Sequence, residues 1–295
     1  MSGLVSSPRP SLVLDRRQLM MLGAANIFPL ASHAADGCTK MTPIAETTSA
    51  SPGKELNTIY GDDLIEISHE MGDGDEGIVS FTGIGFGMGG IQVEEFRKSL
   101  AASTNHIYYV KDKSRHWYNS SAEKITNFLN AEFSCRRISK VITVGNSMGG
   151  FGAILFAASL DGCHRAIAFA AQSAIDPSIV PWDQRFNKLT SSVKSWAGLD
   201  AVKSLRRDVS YFAFFGANDP IDVRHAERLI EANSPNMTVC LIENSGHDVS
   251  FDLKKAGVLS PLMKALVDSD ADCVDFKSLL RDVNFRVAKR PARCS

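Results

Sequence analysis

Short apolar runs punctuate the chain at regular intervals. Gly77 to Thr82, His106 to Val110, Val141 to Val144, Arg165 to Ala170, Val209 to Phe215 and Met237 to Ile242 are rich in β-branched and aromatic residues. Such runs, apolar on both alternating faces, predict strands buried in a parallel sheet. Between them, Ile91 to Ala102, Ser121 to Phe133, Met148 to Leu160 and Val223 to Ala232 carry helical periodicity, with Ser120 or Ser121 as the cap of the second. Val249 to Val267 reads as a further helix, interrupted by Pro261. Strand and helix in alternation predict an α/β fold. Before the first buried strand, Leu56 to Tyr60 and Leu64 to Ile67 predict a hairpin about Gly61-Asp62-Asp63.

Three stretches break the rhythm. Residues 1–34 read as a targeting segment: Asp15-Arg16-Arg17-Gln18-Leu19-Met20 resembles the twin-arginine export signal, although Asp15 stands where that signal has serine or threonine. Ser32-His33-Ala34 offers small residues for cleavage before Ala35, and Met41 is an alternative start. Residues 35–55, rich in Thr, Ser and Pro, read as a linker. A domain over 56–267 follows, in which 171–208 is a run of turns and polar helices that suggests a lid. Residues 268–295, acidic first and basic last, read as a short helix and a frayed end.

The chemistry gathers at Val141-Ile142-Thr143-Val144-Gly145-Asn146-Ser147-Met148-Gly149-Gly150. A buried strand runs into Gly145-Asn146-Ser147-Met148-Gly149, which fits the G-x-S-x-G nucleophile elbow, and a helical pattern follows. From about Ile59 to Leu266 the chain resembles the α/β-hydrolase fold serine hydrolases. The resemblance implies a mostly parallel, eight-stranded sheet with helices on both faces and a small lid. It also implies a triad in the chain order Ser, Asp, His. Ser147, Asp219 and His247 follow that order, each just beyond the carboxyl end of an expected strand. The rival carboxylate is Asp222, read here as the cap of the next helix. His116 also occupies a strand-end loop but precedes the elbow. By the same resemblance, the Met148 N–H and the Ile84 N–H, with Gly85 next in line, form the oxyanion hole. Ile84 and Gly85 belong to the glycine-rich stretch Gly83 to Gly90, whose spacing is that of neither a dinucleotide fingerprint nor a phosphate-binding lysine loop. Trp117, Tyr118 and Trp182 are candidates to wall the substrate site, although anchoring of their loops explains them equally well.

Composition narrows the rest. A formal net charge of −1 provides no global field for nucleic acid or an anionic membrane. No apolar run reaches the roughly 18–20 residues of a membrane span. The six cysteines have no metal-ligand spacing, so no zinc site is expected, and the triad chemistry needs no metal or organic cofactor. Cys38, Cys273 and Cys294 are the better disulfide candidates, and Cys240 reads as a buried thiol. The resulting expectation is a serine hydrolase acting on a small acyl ester, or less readily an amide or thioester, through an acyl-Ser147 intermediate. An acyltransferase would use the same parts. A non-catalytic, hydrolase-like binding protein is the reading from a different class.

Overall fold

The computed structural model describes residues 54–85, 91–193, 196, 200–268, 273–291 and 294. The export-like segment, most of the expected linker, Cys38 and Phe86 to Gly90 lie outside the described residues. Among the described residues, nine strands form one sheet in the order β1-β2-β4-β3-β5-β6-β7-β8-β9. The buried runs become β3 (Glu76–Phe81), β4 (His106–Asp112), β5 (Lys140–Asn146), β6 (Cys163–Phe169), β7 (Ser210–Gly216) and β8 (Met237–Ile242), all mutually parallel. The hairpin β1 (Leu56–Gly61) and β2 (Ile65–Glu70) adds the antiparallel edge through β4. This is an α/β-hydrolase fold.

Alternation along each central strand divides the core. Val79 and Phe81 of β3 join Ile125, Leu129 and Phe133 of α1 (Ala122–Arg136) and the apolar face of α2 (Met148–Phe156) on one side. Ile78, with Ile142 and Val144 of β5, meets Val249 and Leu253 of α5 (Val249–Lys255) and Leu262 and Met263 of α6 (Leu259–Asp268) on the other. Burial on both faces is why these strands read as unbroken apolar runs.

Three local expectations change. The tail holds the expected short helix, α7 (Phe276–Leu279), but its end forms β9 (Phe285–Lys289), which pairs antiparallel with β8, so the sheet has nine strands rather than eight. Cys273 and Cys294 are joined by a disulfide that fastens this segment. Cys135 is also disulfide-bonded, while Cys163 and Cys240 are buried free thiols. Ile91 to Ala102 forms turns rather than an α-helix, because side chains of β3 and the residue after it capture its carbonyls: Ser80 Oγ donates to Glu95 O and Thr82 Oγ1 to Val93 O. The break after Val249 falls at Gly257 (φ +74°), and Pro261 sits in the first turn of α6, where proline is tolerated.

Strand order reverses between β3 and β5, since β4 lies to one side of β3 and β6 to the far side of β5. The carboxyl ends of these strands therefore open onto a crevice, the position where open α/β sheets hold their ligands. Among the described residues, no helix is long and apolar enough to cross a membrane.

Candidate active site

Ser147 stands at the turn between β5 and α2 with φ 55° and ψ −120°, a backbone state that costs a non-glycine residue about 1–3 kcal/mol. Its N–H donates to Phe169 O at 2.8 Å, and its carbonyl accepts from Phe151 N at 3.0 Å, fixing the turn from both sides. The flanking glycines are required by contact. A Cβ at Gly145 would lie 2.0 Å from Gly149 O, and one at Gly149 would lie 2.0 Å from Phe81 O. Only a backbone without side chains lets the elbow sink this close to β3.

The Ser147 Oγ is 2.9 Å from His247 Nε2, and His247 Nδ1 is 2.8 Å from Asp222 Oδ2. Asp222 is buried while His247 is about 30 % exposed, so the relay runs from the interior toward an open imidazole. The expected carboxylate, Asp219, lies in the same cluster but makes no hydrogen bond to His247 among the described residues. It is the N-cap of α4 (Pro220–Glu231), and its Oδ1 accepts from Ile221 N at 2.9 Å and Asp222 N at 3.1 Å. The structure places Asp222 against His247 and Asp219 at the cap, the reverse of the placement read from the sequence. The N-cap lies outside the helix and turns its carboxylate onto the first-turn N–H groups, whereas Asp222, inside that turn, projects sideways to His247.

Arg185, just before the short helix α3 (Asn187–Thr190) in the 171–208 stretch, completes this cluster. Its Nη1 donates to Asp222 Oδ1 at 2.8 Å and approaches Asp219 Oδ2 at 3.4 Å. Its Nε and Nη2 each lie 3.0 Å from Asp183, which in turn accepts from His225 Nε2 at 2.9 Å. Burial pushes the Asp183 carboxyl up, but the hydrogen bonds from His225 and Arg185 outweigh it and hold it well below the ordinary carboxylate range. Burial holds the His225 imidazole below its ordinary range against the pull of Asp183. A neutral ring matches its bonds, since Nδ1 accepts from Ser173 N at 3.0 Å while Nε2–H donates to Asp183. Asp219, Asp222 and His247 offer ligand atoms within 4.8 Å of one another, and the cation they meet is the Arg185 guanidinium.

The loop after β3 is held peptide by peptide. Gly83 N–H donates to Glu95 Oε1 at 2.9 Å, Gly83 O accepts from Gln92 Nε2 at 3.0 Å, and Ile84 O accepts from Arg115 Nε at 3.0 Å. Because the peptides are trans, anchoring Gly83 O turns the Ile84 N–H to the opposite side. Among the described residues, neither the Ile84 N–H nor the Met148 N–H has a protein acceptor. Met148 opens α2, whose N-terminal partial positive charge favours an oxyanion. Glu95, which the sequence reading passed over, holds this loop with a buried carboxyl. Burial pushes it up to about 8, against the N–H groups of Gly83 and Asn146.

Two of the three aromatic candidates are closed off from solvent. Trp117 and Tyr118 are fully buried. Tyr118 Oη donates to Thr82 O at 2.8 Å, and the Trp117 ring packs on Phe186. Trp182 lies under the Arg224 guanidinium at 4.2 Å and against His225. All three anchor loops, the alternative left open by the sequence. Gln172, unmarked by any motif, does reach the site: its Nε2 is 3.4 Å from Ser147 Oγ.

The family model named Esterase matches residues 88–211, a span that contains the elbow. No curated protein matches the sequence. Among solved structures, Thermogutta terrifontis esterase 2, phosphonylated by sarin, superposes with a TM-score of 0.56 at 15% identity, covering 75% of this chain and 96% of that one. The propionate-bound form of the Thermogutta terrifontis esterase superposes at 0.54 and 15% identity, over 74% and 94% of the two chains. The capsule O-acetyltransferase of Neisseria meningitidis serogroup A superposes at 0.53 and 14% identity, over 72% and 95%. At these identities the likenesses show a shared fold.

Proposed function

We propose that this protein is a serine hydrolase that cleaves a carboxylic ester through an acyl-Ser147 intermediate. The observation that carries the reading is the unbroken relay Ser147 Oγ–His247–Asp222, at 2.9 and 2.8 Å, mounted on a strained elbow. His247 Nε2 takes the Ser147 proton as Oγ attacks the acyl carbon. Asp222 holds Nδ1–H, and with it the tautomer that leaves Nε2 free to accept. The negative charge that develops on the carbonyl oxygen is met by the N–H groups of Met148 and Ile84. The tetrahedral adduct collapses as His247 returns the proton to the leaving alkoxy oxygen, releasing the alcohol and leaving Ser147 acylated. Water then attacks the acyl carbon, its proton passing to His247 and on to Ser147 Oγ as the carboxylic acid departs. An alcohol entering in place of water would make the same machinery an acyltransferase, a second reading favoured by the likeness to the capsule O-acetyltransferase.

The Cys273–Cys294 disulfide supports export to an oxidising compartment, in keeping with the twin-arginine-like segment. The test of the activity is labelling with a fluorophosphonate, followed by peptide mass spectrometry and hydrolysis of p-nitrophenyl acetate. The expected result is one adduct, on Ser147, lost together with turnover in a folded Ser147→Ala variant. Wild-type turnover in that variant overturns the assignment. Product analysis with added alcohols separates hydrolysis from transfer, and the intact mass of exported protein reports whether cleavage occurs before Ala35.

A further inference from the structure

Gln172 lies just beyond β6, completely buried, between two groups that fix what its amide can do. Its Oε1 is 3.0 Å from Trp117 Nε1, and its Nε2 is 3.4 Å from Ser147 Oγ. An indole nitrogen only donates, so the amide oxygen must face Trp117 and the NH2 must face the serine. With Ser147 donating its own hydrogen to His247, the Gln172 N–H meets a lone pair of Oγ. Of the two amide hydrogens, one is directed at Oγ, and the other finds no acceptor among the described residues. A buried, uncommitted donor beside a nucleophile is costly unless a reacting group receives it.

The support for Trp117 is elaborate for a surface loop. Arg115, Trp117 and Tyr118 all adopt left-handed backbone, at φ 56°, 53° and 60°. That strain persists because Asp112, fully buried at the end of β4, accepts from Ser114 N at 3.1 Å, His116 N at 2.9 Å and Tyr118 N at 2.8 Å. Backbone held in sparsely populated states by an over-determined surround is the condition under which strain points to function. This strained loop sets the Trp117 indole N–H on the Gln172 amide, beside the Arg115 and Tyr118 bonds that hold the loop after β3.

We infer that Gln172 is a catalytic residue, a side-chain donor to Ser147 Oγ and the tetrahedral adduct formed on it, and that Trp117 is the positioning residue that fixes the sense of its amide. The inference rests on the acyl-serine reading above. Charge on the attacking oxygen and on the adduct shortens and strengthens a contact that is long in the resting site. The reversed amide would present its carbonyl to Ser147, accept the hydroxyl proton and compete with His247. Trp117 excludes that state.

The test compares wild type with Gln172→Met, which keeps length without donors, Trp117→Phe, and the double variant. The readouts are the fluorophosphonate labelling rate and kcat and KM for p-nitrophenyl acetate, with thermal melting to establish folding. Each single variant is expected to lose about 10- to 100-fold in kcat and in labelling rate with little change in KM. The double variant is expected to lose no more than Gln172→Met alone, because Trp117 acts through Gln172. A folded Gln172→Met enzyme that labels and turns over at the wild-type rate overturns the inference, as does full additivity of the two losses. If Trp117→Phe does not fold, Gln172→Met alone still decides the role of the amide. Wild-type protein that reacts at Ser147 alongside an unimpaired Gln172→Met separates failure of this inference from failure of the acyl-serine reading.

Discussion

The two aspartates flanking the start of α4 make opposite predictions under one chemical change. Asp222→Asn preserves shape, but Arg185 dictates how the new amide sits. Its Nη1 donates to Oδ1 at 2.8 Å, so the asparagine must turn its oxygen to Arg185 and its NH2 to His247 Nδ1. His247 then accepts at Nδ1 and carries its proton on Nε2, where it faces Ser147 as a donor and cannot act as base. Loss of the working tautomer in a triad costs about 10⁴-fold in kcat, or about 5 kcal/mol of transition-state stabilisation. Asp219→Asn keeps the acceptor that caps Ile221 and Asp222, since asparagine caps a helix as well as aspartate does. It loses only the 3.4 Å approach to Arg185 at a partly exposed position, at most about 1 kcal/mol of stability. The assay is kcat for p-nitrophenyl acetate on both variants, with thermal melts. Asp222→Asn should fall by about four decades, and Asp219→Asn should stay within about threefold of wild type. The reverse pattern would refute the assignment of Asp222.

Two further outcomes follow from groups around the site. Glu95 is held in its acid form by burial, its carboxyl raised from 4.5 to about 8. The folded state therefore binds more protons than the unfolded chain between those values, and this contribution to stability, full below about pH 4.5, is lost as pH rises through about 8. A gap of that size corresponds to about 4–5 kcal/mol. Glu95→Gln, which carries no charge and keeps an acceptor for Gly83 N–H, should lose much less stability than wild type between pH 5 and pH 9 in urea unfolding; equal pH dependence in both proteins rejects the assignment. Arg185→Met removes the cation shared by the buried Asp183 and Asp222. A loss of about 3 kcal/mol is expected from urea midpoints, the lower end for a broken buried pair because the guanidinium is partly exposed. An unchanged midpoint would mean that solvent already screens both aspartates.

The central sheet was legible because burial on both faces leaves a simple signature, and the elbow was legible because its glycines are demanded by contacts of about van der Waals size or less. The edges were not. In β9, Phe285-Arg286-Val287-Ala288-Lys289 is a charged edge strand, and its basic residues, which suit an unpaired edge, read as a frayed end. Ile91 to Ala102 has the spacing of a helix, but Ser80 on β3 and Thr82 just beyond it take its carbonyls, a long-range competition that local periodicity does not register. Trp117 and Tyr118 follow a strand end where ligands bind, which suggested a substrate wall. Their burial depends on three N–H groups folding back onto Asp112, which no spacing rule predicts.

The exchange between Asp219 and Asp222 has a sharper cause, and the sequence did carry a signal for it. Both follow β7, so the order Ser, Asp, His is satisfied by either. Asp219-Pro220 is the sequence of a capped helix start: proline at the first helical position lacks the N–H that would otherwise need a partner, and the preceding aspartate closes on the next two N–H groups. A carboxylate occupied in this way has its Oδ1 directed along the helix axis into the backbone. The residue three positions later has helical backbone and a side chain free to leave the axis, and it is the one that reaches across to His247. Capping thus does more than stabilise α4 by about 1 kcal/mol. It fixes the rotation of the first turn and thereby aims Asp222. Asp219→Ala should therefore loosen the orientation of His247 as well as the helix, and lower kcat more than Asp219→Asn, whereas equal activity of the two variants would confine Asp219 to stability alone.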